Sequence, residues 1–250
     1  MIFIVLIFGL IVGSFLNVLI VRFAELETIV ATRSHCVRCK KQIAWYDLVP
    51  LLSFALLSGK CRNCKETISW QYPIVELITA VLAAQLFFVY GLTFYSVGLF
   101  IVFALLLVIA AIDLKHYVVP DEYMIPALLL SFVLPFFHPT SELVGSATGG
   151  IVVGGFVALL VLVSKERWMG LGDIGLALVL GVLTGLSSGI AGLIIAFVTG
   201  AIVGLLLLAK RVKSAKDVIP FGPFLVLGTY IAVIWGDMIV SWYLNTIGYI

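Results

Sequence analysis

Long apolar runs recur along the chain and alternate with short polar stretches. About 20 consecutive apolar residues are enough to cross the hydrocarbon core of a bilayer as a helix. The stretch from Asp173 to Ala209 is too long for one span and barely long enough for two, so we divide it at TGLSSG. The pattern then predicts an all-α polytopic membrane protein with about eight transmembrane helices: Met1–Val21, Tyr72–Tyr90, Phe94–Asp113, Tyr123–Phe137, Leu143–Ser164, Asp173–Leu186, Gly189–Ala209 and Pro220–Leu244.

The composition agrees with this class, because 63% of the residues are hydrophobic and only 11% are charged. Ordinary globular domains have roughly 45–50% apolar and about 25% charged residues. The first run has no basic residue before it and no small-residue cleavage site, so it is predicted to be a transmembrane helix rather than a secretory signal. The net charge of +2 does not indicate a protein that binds nucleic acid.

The basic residues indicate the orientation. Eight lie between Arg22 and Lys65, and the other seven are Lys115, Lys165, Arg167 and the four in Lys210–Lys216. In the eight-helix arrangement all of these segments fall on one side, and the opposite loops carry none. The positive-inside rule makes that side cytoplasmic, with both termini outside.

One polar segment between the first two spans, residues 23–71, is large enough to form a small module. It divides the chain into a first transmembrane helix (residues 1–22), a cytoplasmic insert (23–71) and a transmembrane core (72–250). All four cysteines of the protein lie in the insert, as CVRC (Cys36 and Cys39) and CRNC (Cys61 and Cys64).

Two CxxC pairs at this spacing are typical of a tetrahedral zinc site, in which each short loop supplies two thiolates. Two disulfides are the alternative, which a cytoplasmic location disfavours because thiols are kept reduced there. Four thiolates leave no open position for water, so we expect a structural rather than a catalytic zinc ion. His35 is interpreted as a solvated loop residue, and the small insert would depend on the metal for stability.

Among the 13 acidic residues, two carboxylates at ends of predicted spans are candidates for chemistry. Asp113 ends an apolar run, at the helix end where the macrodipole disfavours a negative charge. Asp173 begins a later run and could be only a helix N-cap. However, Gly170 and Gly172 beside it permit a positive φ or a close backbone approach that a simple cap does not require. Asp121, which follows Pro120, is either an N-cap or a supporting residue of the same site.

The predicted topology brings Asp113 and Asp173 to the same cytoplasmic membrane boundary from different helices. Two carboxylates that share one proton can activate a water molecule and protonate a leaving amine, as in aspartic proteases. The same pair could instead relay protons in a proton-coupled transporter, although transporters usually place coupling sites near the bilayer midplane. A scaffold protein with incidental acidic residues would leave the glycines around Asp173 unexplained.

Six motifs occur in order along nearly the whole chain: GSFLNVLIVR, RSHCVRCKKQIAWYDLVPLLS, SGKCRNCKETISWQYPIVELITA, AAIDLKHYVVPD, GLGD and PFGPFLVLG. Together they resemble those of the bacterial type IV prepilin peptidases, which are GxGD-type aspartic endopeptidases. The resemblance implies that Asp113 and Asp173 are the catalytic pair and that the four cysteines bind zinc. Val37 and Leu48 depart from residues common in the family, where proline and asparagine respectively are frequent.

The resemblance also implies the substrates, a cofactor and a location. The substrates would be type IV prepilins and the pseudopilins of secretion or competence systems, cut after a glycine that precedes a hydrophobic helix. Many members also methylate the new N-terminus with S-adenosylmethionine, and Gly59 and Lys60 lie in a matching motif of the insert. The protein would be a multi-pass protein of the bacterial inner membrane, in contact with lipid, with its active site at the cytoplasmic face.

Overall fold

Helices form every regular element of the computed structural model within the residues that it describes, which are 1–25, 34–138, 143–212 and 217–248. The only strand-like pairs there are two isolated β-bridges in the insert. The predicted all-α class is therefore confirmed. Part of the insert and the basic residues Arg33, Lys213 and Lys216 lie outside the described residues.

The chain forms two compact units, Met1–Ser96 and Val97–Ile250. This division differs from the three segments predicted at residues 1–22, 23–71 and 72–250, which stay a prediction about domains. Neighbouring membrane helices that pack closely define a unit, whereas the sequence-based boundaries follow the change from apolar to polar composition.

In the first unit two long helices, α1 (Ile2–Glu25) and α3 (Gln71–Tyr90), flank the insert. The insert contains a 3₁₀ helix (Trp45–Leu48) and the short helix α2 (Leu52–Leu56). α1 packs on α3 through glycines: a Cβ atom at Gly9 would lie 2.6 Å from Cα of Ala80, and one at Gly13 would lie 2.7 Å from Cα of Glu76. The absence of side chains at these positions lets the two backbones approach closely, as in small-residue packing between membrane helices.

Polar side chains lie between α1 and α3 at the end nearest the insert. Asn17 is buried, and its amide donates to the carbonyl oxygens of Gly13 and Tyr72, each at 3.2 Å. Glu76 is also buried, and its carboxylate accepts a 2.8 Å hydrogen bond from the backbone N–H of Leu51. Buried polar groups need partners. The bonds of Asn17 join α1 to α3, and the bond from Leu51 to Glu76 connects the insert to α3.

The second unit contains most of α4 (Phe94–His116) and five further α-helices: α5 (Asp121–Val133), α6 (Leu143–Gly149), α7 (Gly155–Ser164), α8 (Leu171–Ala209) and α9 (Gly222–Thr246). A 3₁₀ turn (Leu134–Phe137) extends α5, and a π-helical turn (Gly150–Gly154) joins α6 to α7. α8 is the centre of this unit, because α5, α6, α7 and α9 all pack against it.

α8 is a hairpin of two helical arms rather than one straight helix. Gly185 has φ 71° and ψ −170°, a conformation that favours glycine, and it interrupts the helix there. A Cβ atom at Gly192 would lie 2.8 Å from Cδ1 of Leu180, whereas these residues would be about 18 Å apart along a straight helix. The chain therefore reverses direction within TGLSSG, where the sequence pattern predicts a division.

The predicted number of eight spans is not confirmed. Within the described residues, six helices are long and apolar enough to cross a membrane, and the whole of α8 is one of these six. The predicted span Tyr123–Phe137 corresponds to the 13-residue helix α5 and its 3₁₀ extension. The two numbers differ because the prediction counted the two arms of α8 and the short helix α5 as three separate spans.

The glycine contact between α1 and α3 generates a prediction about stability. Gly9→Ala places a methyl group against the backbone of α3, and such overpacking typically costs about 1–3 kcal/mol. We expect a lower midpoint of thermal unfolding for the purified protein in detergent.

Gly155→Ala is the matched control, because a Cβ atom at Gly155 meets nothing within 4 Å. Alanine has a higher helix propensity than glycine, which can add up to about 1 kcal/mol to the free energy of unfolding. The midpoint of this variant should therefore stay the same or rise. Equal midpoints for the two variants would show that the α1–α3 contact does not require glycine.

Candidate active site and metal centre

The four cysteines of the insert form one compact cluster. Their Sγ atoms all lie within 4.8 Å of one another, and Cys36 Sγ is 3.9 Å from Cys64 Sγ. A tetrahedral zinc ion with Zn–S bonds of about 2.3 Å holds its sulfurs roughly 3.8 Å apart. All four are free thiols rather than disulfides. The donor set and its spacing therefore fit a tetrahedral zinc ion.

The two cysteine loops are copies of one local structure, 25 residues apart. In the first loop the N–H of Cys36 donates to the carbonyl oxygen of Lys41, and the N–H of Lys40 donates to that of Cys36. In the second loop the N–H of Cys61 donates to the carbonyl oxygen of Glu66, and the N–H of Lys65 donates to that of Cys61. The sequences CVRCKKQIAW and CRNCKETISW share the pattern CxxCKxxIxW. Lys40 and Lys65 both have positive φ, 56° and 59°. Two equivalent loops that face each other give the near-symmetric set of four sulfurs.

The local surroundings favour a thiolate at Cys61 and disfavour one at Cys64. Backbone N–H groups of Cys64 and Asn63 lower the pKa of the Cys61 thiol to about 7. The pKa of the Cys64 thiol rises to about 11, because desolvation and the adjacent thiols of the cluster outweigh a backbone hydrogen bond. Arg62 makes a two-bond ion pair with Asp47, at 2.8 Å and 2.7 Å, and this hydrogen bonding lowers the pKa of Asp47. The pair connects the second loop to the 3₁₀ helix.

Asp113 lies near the end of α4, and its side chain is only 6% exposed. Its Oδ2 accepts a 3.0 Å hydrogen bond from the backbone N–H of Gly222, the first residue of α9. The first N–H groups of a helix have no partner within it and carry partial positive charge. The start of α9 therefore compensates the unfavourable position of Asp113 at the C-terminal end of its own helix.

Asp173 is the third residue of α8 and is also 6% exposed. Its Oδ2 accepts a 3.0 Å hydrogen bond from the backbone N–H of Gly170, the residue immediately before the helix. Asp173 thus caps α8 from inside its first turn and not as the N-cap residue itself. The start of α8 stabilises one carboxylate as the start of α9 stabilises the other.

Gly222 lies between Asp113 and the N-terminal part of α8. A Cβ atom at Gly222 would lie 2.6 Å from Asp113 Oδ2 and 3.2 Å from Cδ1 of Leu176, which follows Asp173 by nearly one turn. Asp113 also acts electrostatically on Asp173. Helices α4, α8 and α9 therefore bring the two carboxylates to the same end of the second unit.

The glycines around Asp173 have different surroundings. A Cβ atom at Gly172 would overlap the side chain of Val119, in the segment between α4 and α5, whereas one at Gly170 would meet nothing within 4 Å. Neither has a positive φ. Gly172 thus serves a close approach between Val119 and the first turn of α8. Asp121 is exposed at the first position of α5, after the N-cap Pro120.

Sequence reasoning missed Gly222 as a partner of Asp113. Its contribution is a backbone N–H, which no residue type identifies, although the PFGPFLVLG motif contained it. It also missed the repeated pattern CxxCKxxIxW, which a comparison of the two cysteine loops would have revealed.

Two protein-family models match the chain. Residues 7–90 match the Bacterial Peptidase A24 N-terminal domain, and residues 100–205 match the Type IV leader peptidase family. The first match contains the four cysteines and the second contains both aspartates. These two regions fall within the two compact units of the structure.

Curated relatives cover almost the whole chain. The prepilin leader peptidase/N-methyltransferase of Pseudomonas aeruginosa is 31% identical over 96% of this chain and 92% of its own length. The protein of that name from Aeromonas salmonicida is 31% identical over 97% and 94%, and that from Legionella pneumophila 31% over 85% and 76%. No solved structure matches the chain significantly.

The contact between Gly172 and Val119 generates a second prediction. Gly172→Leu should displace the first turn of α8 and Asp173 with it, because Val119 already occupies the space of a side chain. Misplacing a reacting group by about 1 Å can cost roughly 100-fold in rate. We expect a loss of this order in the leader cleavage that the sequence predicts.

Gly170→Ala, at the open position of the same loop, should cleave at close to the wild-type rate. Gel filtration in detergent would check that both variants are folded. A wild-type rate for Gly172→Leu would exclude a positioning role for this contact.

Proposed function

The chain belongs to the type IV leader peptidase family and is a multi-pass membrane peptidase. From this premise we propose that it cleaves the leaders of type IV prepilins or pseudopilins, with Asp113 and Asp173 as its catalytic pair. The observation that carries the proposal is that two buried carboxylates from different helices lie at the same end of the second unit, each accepting a hydrogen bond from the backbone N–H of a glycine at the start of a helix.

The position of the pair near helix ends suits a substrate cut beside its hydrophobic helix. Asp113 lies three residues before the end of α4, and Asp173 lies in the first turn of α8. Carboxylates at this level can be reached by water and by a peptide segment that leaves the membrane. A site in the middle of the spans would require the scissile bond to enter the hydrocarbon core.

In the proposed reaction the two carboxylates share one proton, since two like charges at close range do not both ionise easily. The ionised member accepts a proton from a water molecule as the water oxygen attacks the scissile carbonyl carbon. The protonated member then donates to the leaving amide nitrogen, which breaks the C–N bond. The N–H groups of Gly222 and Gly170 hold one oxygen of each carboxylate, so that the other oxygen can face water or substrate.

We further propose that the insert binds one structural zinc ion through Cys36, Cys39, Cys61 and Cys64. The spacing of the four sulfurs and the duplicated loops support this ligand set. Bound there, the ion would cross-link the two loops of a module that is too small to have a large apolar core.

The names of the relatives support a second activity, the transfer of a methyl group to the new N-terminus. We propose this activity with S-adenosylmethionine as methyl donor, as the resemblance implies. The amine released by cleavage is the acceptor, so the methyl transfer would follow hydrolysis.

The orientation is proposed from charge. In the predicted topology the basic segments between Arg22 and Lys65, at Lys115 and at Lys165–Arg167 would fall on the same side of the membrane as the aspartates, which the positive-inside rule makes cytoplasmic. Both termini would then be outside the cytoplasm, in the inner membrane and in contact with its lipids. The comparisons do not support the alternative of a proton-coupled transporter.

Cleavage in a peptidase-deficient host that co-expresses a candidate prepilin tests the catalytic pair. Asp113→Asn and Asp173→Asn should each abolish leader removal, because an amide can neither accept the proton of water nor share one. The mass of the pilin N-terminus measures cleavage, and in the wild type it should also show one added methyl group.

Glu122→Gln is the control for loss of an exposed negative charge nearby, and it should leave cleavage intact. Leader removal by either aspartate variant would refute the proposed pair. An unmodified amine on a cleaved pilin would remove the methyl transfer but not the peptidase.

Zinc content of the purified full chain tests the metal site. The wild type should hold about one zinc ion per chain, and Cys36→Ser/Cys61→Ser, which removes one ligand from each loop, should hold almost none. Asn63→Ser keeps all four thiols in the same loop and should retain the metal. Unchanged zinc in the double variant would show that the ion binds elsewhere.

A further inference from the structure

The short helix α2 presents its apolar side chains in two opposite directions. Phe54 faces the insert, where its ring lies 5.1 Å from the ring of Trp70 and fills the space beside Gly59. Leu52 and Leu56 are one helical turn apart, on the side away from Phe54. They are 55% and 75% exposed.

A hydrogen bond determines the level of α2 along the membrane helix α3. The backbone N–H of Leu51, the residue before α2, donates to Glu76 at 2.8 Å. Glu76 is the sixth residue of α3, about 7.5 Å from its first residue along the axis. Side chains in a helix point back toward its N-terminus, so the carboxylate lies beside the first turn of α3.

That turn lies at the edge of the hydrocarbon core. The 20 residues of α3 are about 30 Å long, which equals the usual thickness of the core. Trp70, which directly precedes α3, is exposed, and tryptophan is enriched at membrane–water interfaces. Its equivalent in the first cysteine loop, Trp45, is exposed as well and belongs to the 3₁₀ helix that precedes α2.

We propose that α2 lies in the lipid interface, with Leu52 and Leu56 inserted among the acyl chains, so that the insert is held against the bilayer. Apolar side chains of interfacial helices insert about 5–10 Å deep at this level. Lipid is the occupant because Glu76 holds the start of α2 beside the first turn of a transmembrane helix. The proposal is independent of the catalytic pair and of the metal.

Photo-crosslinking in native membranes tests it with the full chain. p-Benzoylphenylalanine is introduced at Leu56 by amber suppression, and mass spectrometry of the irradiated protein detects adducts. Val37, a 53% exposed apolar residue of the first cysteine loop, is the matched control. We expect adducts with the mass of phospholipids at position 56, at least several times more abundant than at position 37.

The proposal would be overturned if position 56 formed no lipid adduct and was crosslinked instead to another protein, to a second copy or to another segment of this chain. Equal lipid labelling at both positions would overturn it too, because the orientation of α2 would then have no effect. If the variant at Leu56 does not accumulate in the membrane, the same comparison is made at Leu52 with the same criteria.

Discussion

The burial of two carboxylates in an apolar bundle is the constraint on which the second unit depends. An ionised group in such surroundings is costly unless hydrogen bonds and local dipoles compensate it. Gly222 at the start of α9 and Gly170 at the start of α8 each supply one N–H donor. The packing of α4, α8 and α9 therefore also lowers the free-energy cost of burying the two carboxylates.

Glycine enables this arrangement by allowing backbones and side chains to approach closely. Gly222 leaves room for the carboxylate of Asp113, and Gly172 leaves room for Val119. The backbones of Gly149 and Gly181 are in direct contact where α6 crosses α8. In lipid, where the hydrophobic effect does not drive helices together, such close packing supplies much of the association energy.

In the first unit, contacts within the insert and with α3 hold a small polar module at the end of a helix pair. The two cysteine loops bring four sulfurs together, and the bond from Leu51 to Glu76 connects the module to α3. A buried acid thus has a structural role in one unit, whereas two buried acids form the proposed reactive pair in the other. All three carboxylates accept a hydrogen bond from a backbone N–H. The difference is that Glu76 bonds to the insert, whereas Asp113 and Asp173 are brought to the same end of their unit.

The sequence by itself determined the helical membrane class, and it predicted the four cysteines as metal ligands, the two aspartates as the reactive pair and the division of the chain within TGLSSG. These features depend on local signals: the length of apolar runs, the spacing of cysteines, the high cost of a charge in an apolar run and the glycines that allow a turn. Only the tertiary structure decided that Gly222 supports Asp113, that Val119 is the reason for Gly172, and that Leu51 meets Glu76. Each of these is a contact between segments distant in the chain, made by a backbone group or by the absence of a side chain, and no local pattern encodes such a contact.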